Sequence, residues 1–161
     1  MILVTVGTEQ FPFNRLMGWI EGLLEYGAIQ EEVVVQAGSC TVTPENTTCH
    51  TVLPEAQFKE LVRSARVVIS HCGEGSYLLF SQLQVPFVLV PRSAQFGEHV
   101  DDHQVEMADA LGELGMPIAR SPFELLPHLA RPMSPSQCLK PSESANNLCR
   151  MLRQEFPCRA A

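Results

Sequence analysis

The chain has 161 residues and a formal net charge of −7, and 45% of its residues are hydrophobic. This length fits one domain with a substantial core, and the composition excludes a wholly disordered chain. The acidic balance argues against a nucleic-acid-binding protein, which needs a basic face. No apolar run approaches the roughly 18 residues of a membrane span, and the first residues are typical of a buried strand rather than a signal peptide.

Strand and helix patterns alternate along the chain. The apolar runs predict strands over 2–6, 33–35, 51–53, 67–69, 87–90 and 117–119. Helical spacing predicts helices that start at Pro12 and Pro54, and others that end near Gln84, Leu114 and Leu129. A glycine-rich turn is expected over 70–75 and a polar loop over about 92–98. This alternation predicts an α/β fold, a single Rossmann-like domain whose parallel sheet carries helices on both faces.

Three segments are expected along the chain. Residues 1–130 form the Rossmann-like domain, and residues 131–141, with three prolines, form a linker. Residues 142–157 form an amphipathic helix that packs on the domain or on a partner. The six cysteines are scattered without a C-x-x-C pair or zinc-finger spacing, which favours reduced thiols.

Two glycine turns follow predicted strands at the carboxyl edge of the sheet, where ligands bind in such folds. Gly7 follows the first strand, and residues 70–76 contain Gly73 and Gly75 before a helix. Glycine permits close approach of backbone N–H groups, and a helix amino terminus adds a partial positive charge. The turns therefore predict a diphosphate site, although any α/β protein needs glycine between a strand and a helix. The P-loop and G-x-S-x-G motifs are absent, which argues against an NTPase and an α/β-hydrolase.

These motifs resemble a known group of proteins. Residues 70–76, followed by Pro86, resemble the donor-binding signature of nucleotide-sugar glycosyltransferases with the GT-B fold. Residues 4–8 are similar to the catalytic subunit of the eukaryotic dolichol-linked N-acetylglucosaminyltransferase. Residues 96–104 are similar to the PssE-like proteins of exopolysaccharide assembly. The resemblance covers about residues 1–115 and points to the C-terminal domain of glycosyltransferase family 28.

The resemblance implies that the chain is the donor-binding, carboxyl-terminal half of a GT-B enzyme. Such a subunit moves a hexose from a UDP-sugar to a lipid-linked saccharide, without a metal or another cofactor. Its expected partner is a membrane-anchored, PssD-like subunit that binds the acceptor. The chain would then lie in the cytoplasm, held at the membrane face through this partner.

The resemblance also implies roles for individual residues. Gly7 and Thr8 are expected to touch the phosphates or the sugar. The diphosphate is expected to be surrounded by His71, Gly73, Gly75 and Ser76. The hydroxyls of the donor sugar are expected to contact Asp102, His103 and Gln104. One departure concerns Leu79, because many GT-B proteins have at this position a glutamate that binds the ribose hydroxyls.

The catalytic base is not identified by the sequence. Glu9, Glu74 and Glu98 are weak candidates, since each is more typical of a solvated loop acid, and the base is expected on the partner. No D-x-D motif is present, so no metal is expected to bridge the diphosphate.

Two other functions stay open. The chain could be a non-catalytic subunit that activates a partner glycosyltransferase, which the Leu79 departure favours slightly. It could also be a metal-dependent hydrolase, because His99 and His103 have the i, i+4 spacing of a two-histidine metal site on a helix. The simpler interpretation of this segment is a helix start, with Asp101 and Asp102 in the first turn.

Overall fold

The computed structural model describes residues 1–138, so the predicted helix over 142–157 and the end of the predicted linker lie outside the described residues. The strands are β1 (Ile2–Thr5), β2 (Val33–Gln36), β3 (Thr48–His50), β4 (Val67–His71) and β5 (Phe87–Val90). The helices are α1 (Asn14–Glu25), α2 (Glu55–Ser64), α3 (Glu74–Leu83), α4 (His103–Glu113), α5 (Pro122–Ala130) and α6 (Pro135–Cys138).

The strands form one parallel sheet in the order β3-β2-β1-β4-β5. Strand β1 lies at the centre, with Leu3 between Val34 and Val68. Because every strand is parallel, the carboxyl ends of β1, β2 and β4 lie at the same edge. The loops that follow these ends therefore meet there.

The core has two layers, one on each face of the sheet. Ile2 and Val4 of β1 pack on one face with side chains of α1 and α5. Leu3 packs on the other face with side chains of α2, α3 and α4. The alternation follows from the two-residue period of a strand, and both faces are apolar because both are covered. The predicted fold class is confirmed.

Two predicted strand positions need correction. The third strand is Thr48–His50 rather than 51–53, because pairing with β2 determines its position at the sheet edge. Val52, which suggested the later position, is 64% exposed. Strand β4 continues to His71, which pairs with Val90, so the predicted turn over 70–75 is reduced to two residues between β4 and α3.

Two predicted helix starts also shift. Helix α1 begins at Asn14 rather than Pro12. Helix α4 begins at His103, so His99 lies in irregular chain before it and the predicted i, i+4 helical pair is wrong. Asp102 occupies the position that precedes the first turn of α4, and Asp101 lies outside the helix.

Three smaller features complete the fold. Residues 117–119 contribute a single bridge, between Ile118 and Leu89, rather than a strand. The proline-rich segment contains the four-residue helix α6. Within residues 1–138, no helix is both long enough and apolar enough to cross a membrane.

Candidate functional site

A cavity of about 530 Å³ opens at the carboxyl edge of the sheet. The turn after β1 and the start of α3 form two of its walls, and the segment before α4 contributes His99 and His103. Most predicted site residues line it, namely Gly7, Thr8, His71, Gly73, Gly75, Ser76, His103 and Gln104. The two glycine turns, 66 positions apart at Gly7 and Gly73, therefore meet in one cavity.

The imidazole of His71 fills the space between the two glycine turns. A methyl group on Gly7 would lie 2.6 Å from His71 Cε1, and one on Gly73 would lie 2.5 Å from His71 Nε2. Gly7 also has a φ of +76°, which disfavours other residues. Both glycines are thus required by the ring that they enclose.

His71 is neutral at physiological pH. Burial of the ring, together with the nearby charge of Arg92, lowers its pKa from 6.5 to about 4, although a hydrogen bond with the Thr5 backbone opposes this shift. A neutral imidazole carries one N–H donor and one acceptor nitrogen. His71 therefore offers a phosphate no ion pair, and a hydrogen bond to a phosphate would need the single N–H that the Thr5 carbonyl otherwise accepts.

Helix α3 points its amino terminus into the cavity. Gly73 precedes the helix, and no side chain caps the first turn. The first N–H groups of a helix have no partner within it, and they carry the positive end of the helix dipole. With Glu74, Gly75 and Ser76 lining the cavity, this end of α3 has the geometry of an anion site.

The peptide after Gly7 is oriented by Gln36, which sequence reasoning missed. Thr5 Oγ1 donates to Gln36 Oε1 at 2.5 Å, and Gln36 Nε2 donates to the Gly7 carbonyl at 2.9 Å. In a trans peptide the carbonyl and the next N–H point in opposite directions. Thr8 N–H is therefore directed away from Gln36. A polar residue that ends an otherwise all-valine strand was the available signal.

Arg92 is fully buried behind the cavity, whereas the sequence predicted a polar loop at this position. Its guanidinium donates to the carbonyls of Val6 at 2.7 Å, Phe11 at 2.7 Å and Glu98 at 3.1 Å. It also lies 4.8 Å from the centre of the Phe13 ring. Arg92 thus ties the turn after β1 to the segment after β5.

Glu98 does not face the cavity. Only 3% of the residue is exposed, and its carboxylate accepts two hydrogen bonds from Arg15, each of 2.8 Å. It also accepts from the Ser93 N–H at 3.1 Å. With its oxygens engaged in this way, Glu98 is a structural anchor and does not fit the role of a base. Glu9 and Glu74 do line the cavity.

The residues of the predicted sugar-binding segment differ in whether they line the cavity. Asp102 lies outside the cavity lining, since its carboxylate accepts from Ser93 Oγ at 2.9 Å and from the Ala94 N–H at 2.8 Å. Gln104 lines the cavity, and its Oε1 accepts from the Arg92 N–H at 3.2 Å. His103 lines the cavity with half of its side chain exposed. The structure thus brings two of these three residues to the site.

Comparison with known protein families gives a match for this chain. The family model described as the glycosyltransferase family 28 C-terminal domain matches residues 1–155. No curated protein gives a significant match.

Several solved structures share the fold at low sequence identity. The calicheamicin glycosyltransferase CalG4 is 20% identical, with a TM-score of 0.57 over 94% of this chain. ALG13 is 20% identical, with a TM-score of 0.54 over 94% of this chain. MurG from Acinetobacter baumannii is 20% identical, with a TM-score of 0.52 over 80% of this chain.

The matched chains differ in length. The match spans 30% of the Streptomyces nogalater glycosyltransferase SnogD, 38% of CalG4 and 39% of MurG, but 93% of ALG13. The chain thus corresponds to less than half of most of these proteins. Its fold is that of the carboxyl-terminal half of a GT-B protein.

Proposed function

Because the chain belongs to the family of the glycosyltransferase family 28 C-terminal domain, we propose that it is the donor-binding subunit of a two-component hexosyltransferase. The observation that carries the proposal is the convergence of Gly7 and Gly73 on the neutral His71 ring, beside the uncapped start of α3. This arrangement supplies N–H donors for a diphosphate without requiring a basic surface.

The donor is a UDP-sugar. When the bond between the sugar and the diphosphate breaks, negative charge develops on the leaving diphosphate. N–H groups that are already oriented stabilise this charge at little reorganisation cost. The Gln36 contact that holds the Gly7 carbonyl, and the hydrogen-bonded helical backbone of α3, keep these donors in place. The diphosphate is therefore held without a bridging metal.

The acceptor and the base are supplied by a second subunit. A GT-B active site lies between two Rossmann-like domains, and this chain covers 38% of CalG4. The resemblance to PssE-like proteins supports a membrane-anchored, PssD-like partner that presents a lipid-linked saccharide. The chain would act in exopolysaccharide biosynthesis, at the cytoplasmic face of the membrane through this partner. Burial of Glu98 against Arg15 excludes one of the three candidate acids of this chain, whereas Glu9 and Glu74 line the cavity.

Calorimetry and transfer assays test the proposal. The purified chain should bind UDP and UDP-sugars but transfer almost no sugar until the partner is added. Robust transfer by the chain alone would contradict the two-component arrangement. Absence of binding at millimolar UDP, with the partner present, would contradict donor binding and support the non-catalytic accessory role that the Leu79 departure suggests.

A further inference from the structure

We propose that His99, Asp101 and His103 form a binding site for a divalent transition-metal ion of the Zn²⁺ class at the rim of the cavity. All of its protein ligands are side chains of this chain. The site does not depend on the proposed function, whereas the effect on donor binding argued below does.

The three side chains already converge. His99 Nδ1 lies 3.0 Å from Asp101 Oδ1, and His103 Nδ1 contacts the same carboxylate oxygen. One ligand atom from each residue lies within 4.8 Å of the other two. Tetrahedral zinc with bonds of about 2.0–2.1 Å separates its ligand atoms by about 3.3 Å. Small side-chain rotations would therefore admit an ion.

The donor set selects a class of metal. Two imidazoles and one carboxylate suit Zn²⁺ and its neighbours, whereas Mg²⁺ and Ca²⁺ prefer oxygen ligands alone. Three protein ligands leave one coordination position open, as in zinc sites that bind water or substrate. The histidines ligate as neutral rings, so occupancy requires only that each Nδ1 present its lone pair.

The backbone around the cluster is held in place, and solvent can reach the ligands. Asp102 anchors the segment to Ser93 and Ala94, and His103 is the first residue of α4. The exposed fractions of the ligand side chains are 11% for His99, 58% for Asp101 and 44% for His103. The positive end of the α4 dipole opposes a cation, but the carboxylates of Asp101 and Asp102 offset it.

A bound ion would affect donor binding. Both His99 and His103 line the cavity, whereas Asp101 does not. The resemblance implies that His103 contacts the donor sugar, and a metal bound at its Nδ1 would fix the orientation of the ring and hinder that contact. Zinc is thus expected to act as an inhibitor of the subunit and not as a catalyst.

Metal titration of the full chain tests the site directly. The wild type should bind one equivalent of Zn²⁺ in competition with a chromophoric chelator. His103→Gln and Asp101→Asn should each weaken binding at least about tenfold, a loss of about 1.4 kcal/mol. His128→Gln, on α5 and outside the cluster, is the matched control and should bind as the wild type does. Retained binding in both ligand variants, or equal loss in the control, would overturn the site.

Two further measurements identify the metal ligands and the effect of Zn²⁺ on donor binding. Co²⁺ should give visible d–d absorption without a thiolate charge-transfer band, since such a band would place the metal on cysteine and overturn the assignment. One equivalent of Zn²⁺ should weaken UDP-sugar binding by the wild type but not by Asp101→Asn, and an equal effect on both would overturn the inhibitory role. If no UDP-sugar binds at all, the proposed function fails while the metal titration still decides the site.

Discussion

Gly73 and His71 are in such close contact that a single methyl group cannot fit between them. A Cβ on Gly73 would lie 2.5 Å from His71 Nε2, a separation that real Cβ atoms essentially never show. The φ of Gly73 is −99°, which other residues adopt freely, so the constraint is the ring and not the backbone. The first glycine of this turn is therefore required for the placement of the imidazole.

Gly73→Ala should displace the His71 ring and weaken UDP binding at least about tenfold. The overpacking should also destabilise the fold by about 1–3 kcal/mol. Gly18→Ala is the matched control, because Gly18 is exposed in α1 with nothing near its added methyl group. It should leave UDP binding unchanged and stabilise the fold by about 0.5–1 kcal/mol. Calorimetry and urea unfolding measure both effects, and unchanged UDP affinity in Gly73→Ala would remove His71 from the diphosphate site.

The burial of His71 predicts a dependence of stability on pH. Its pKa is lowered from 6.5 to about 4 by burial and by Arg92, so the unfolded chain binds a proton more readily than the folded chain. This contribution to stability is complete above about pH 6.5 and is lost as the pH falls towards 4. Between about pH 7.5 and pH 5.0, the free energy of unfolding of the wild type should fall by about 2 kcal/mol relative to that of His71→Asn.

Urea unfolding at both pH values measures how the difference in unfolding free energy between the wild type and His71→Asn changes with pH. The titration of other groups largely cancels in this comparison. His50→Asn provides the control, since His50 lies at the end of β3 outside the cavity lining. A difference between the wild type and His71→Asn that does not change with pH would contradict the buried, neutral state of the ring.

Four of the five strands, β1, β2, β4 and β5, could be predicted from the sequence because each alone carries its signal. Val67, Val68 and Ile69 form a continuous apolar run, which a strand covered on both faces requires. Thr48–His50 carries no such signal, because its three residues are exposed or half-buried at the edge of the sheet. Its position depends on hydrogen bonds with β2, which periodicity does not encode.

The glycine turns could also be predicted, because their residues are adjacent in the sequence. The contacts that hold these turns in place could not be predicted. Arg92 donates to carbonyls of residues as distant in sequence as Val6, and a buried arginine cannot be distinguished from an exposed one by pattern. The pairing of Glu98 with Arg15 likewise joins residues 83 positions apart. A carboxylate that appeared in the sequence as a candidate base is therefore part of the scaffold.

Arg92→Met should destabilise the fold strongly. The variant leaves the carbonyls of Val6, Phe11 and Glu98 without their donor, and a buried acceptor left without a partner costs about 1–3 kcal/mol. Arg120→Met is the control, because Arg120 pairs with Asp109 on the surface. That change should cost less than about 1 kcal/mol. Urea unfolding compares the two, and equal losses would show that Arg92 acts as an ordinary surface arginine.

The last prediction concerns Leu79 and the ribose of the donor. Leu79 and Ser76 are three residues apart on α3, so they share a helix face, and both line the cavity. A leucine cannot accept hydrogen bonds from ribose hydroxyls. The wild type should therefore bind UDP and 2′-deoxy-UDP with affinities within about threefold of each other.

Leu79→Glu should create the missing contact. A carboxylate that accepts from a hydroxyl contributes about 1.5–3 kcal/mol, so this variant should prefer UDP over 2′-deoxy-UDP by about tenfold or more. Leu79→Gln is the matched control, with the same length but no charge, and it should give a smaller preference. Competition calorimetry with both nucleotides provides the measurement. A strong preference already in the wild type would mean that another group holds the ribose, and a folded Leu79→Glu variant without preference would place the ribose away from this face of α3.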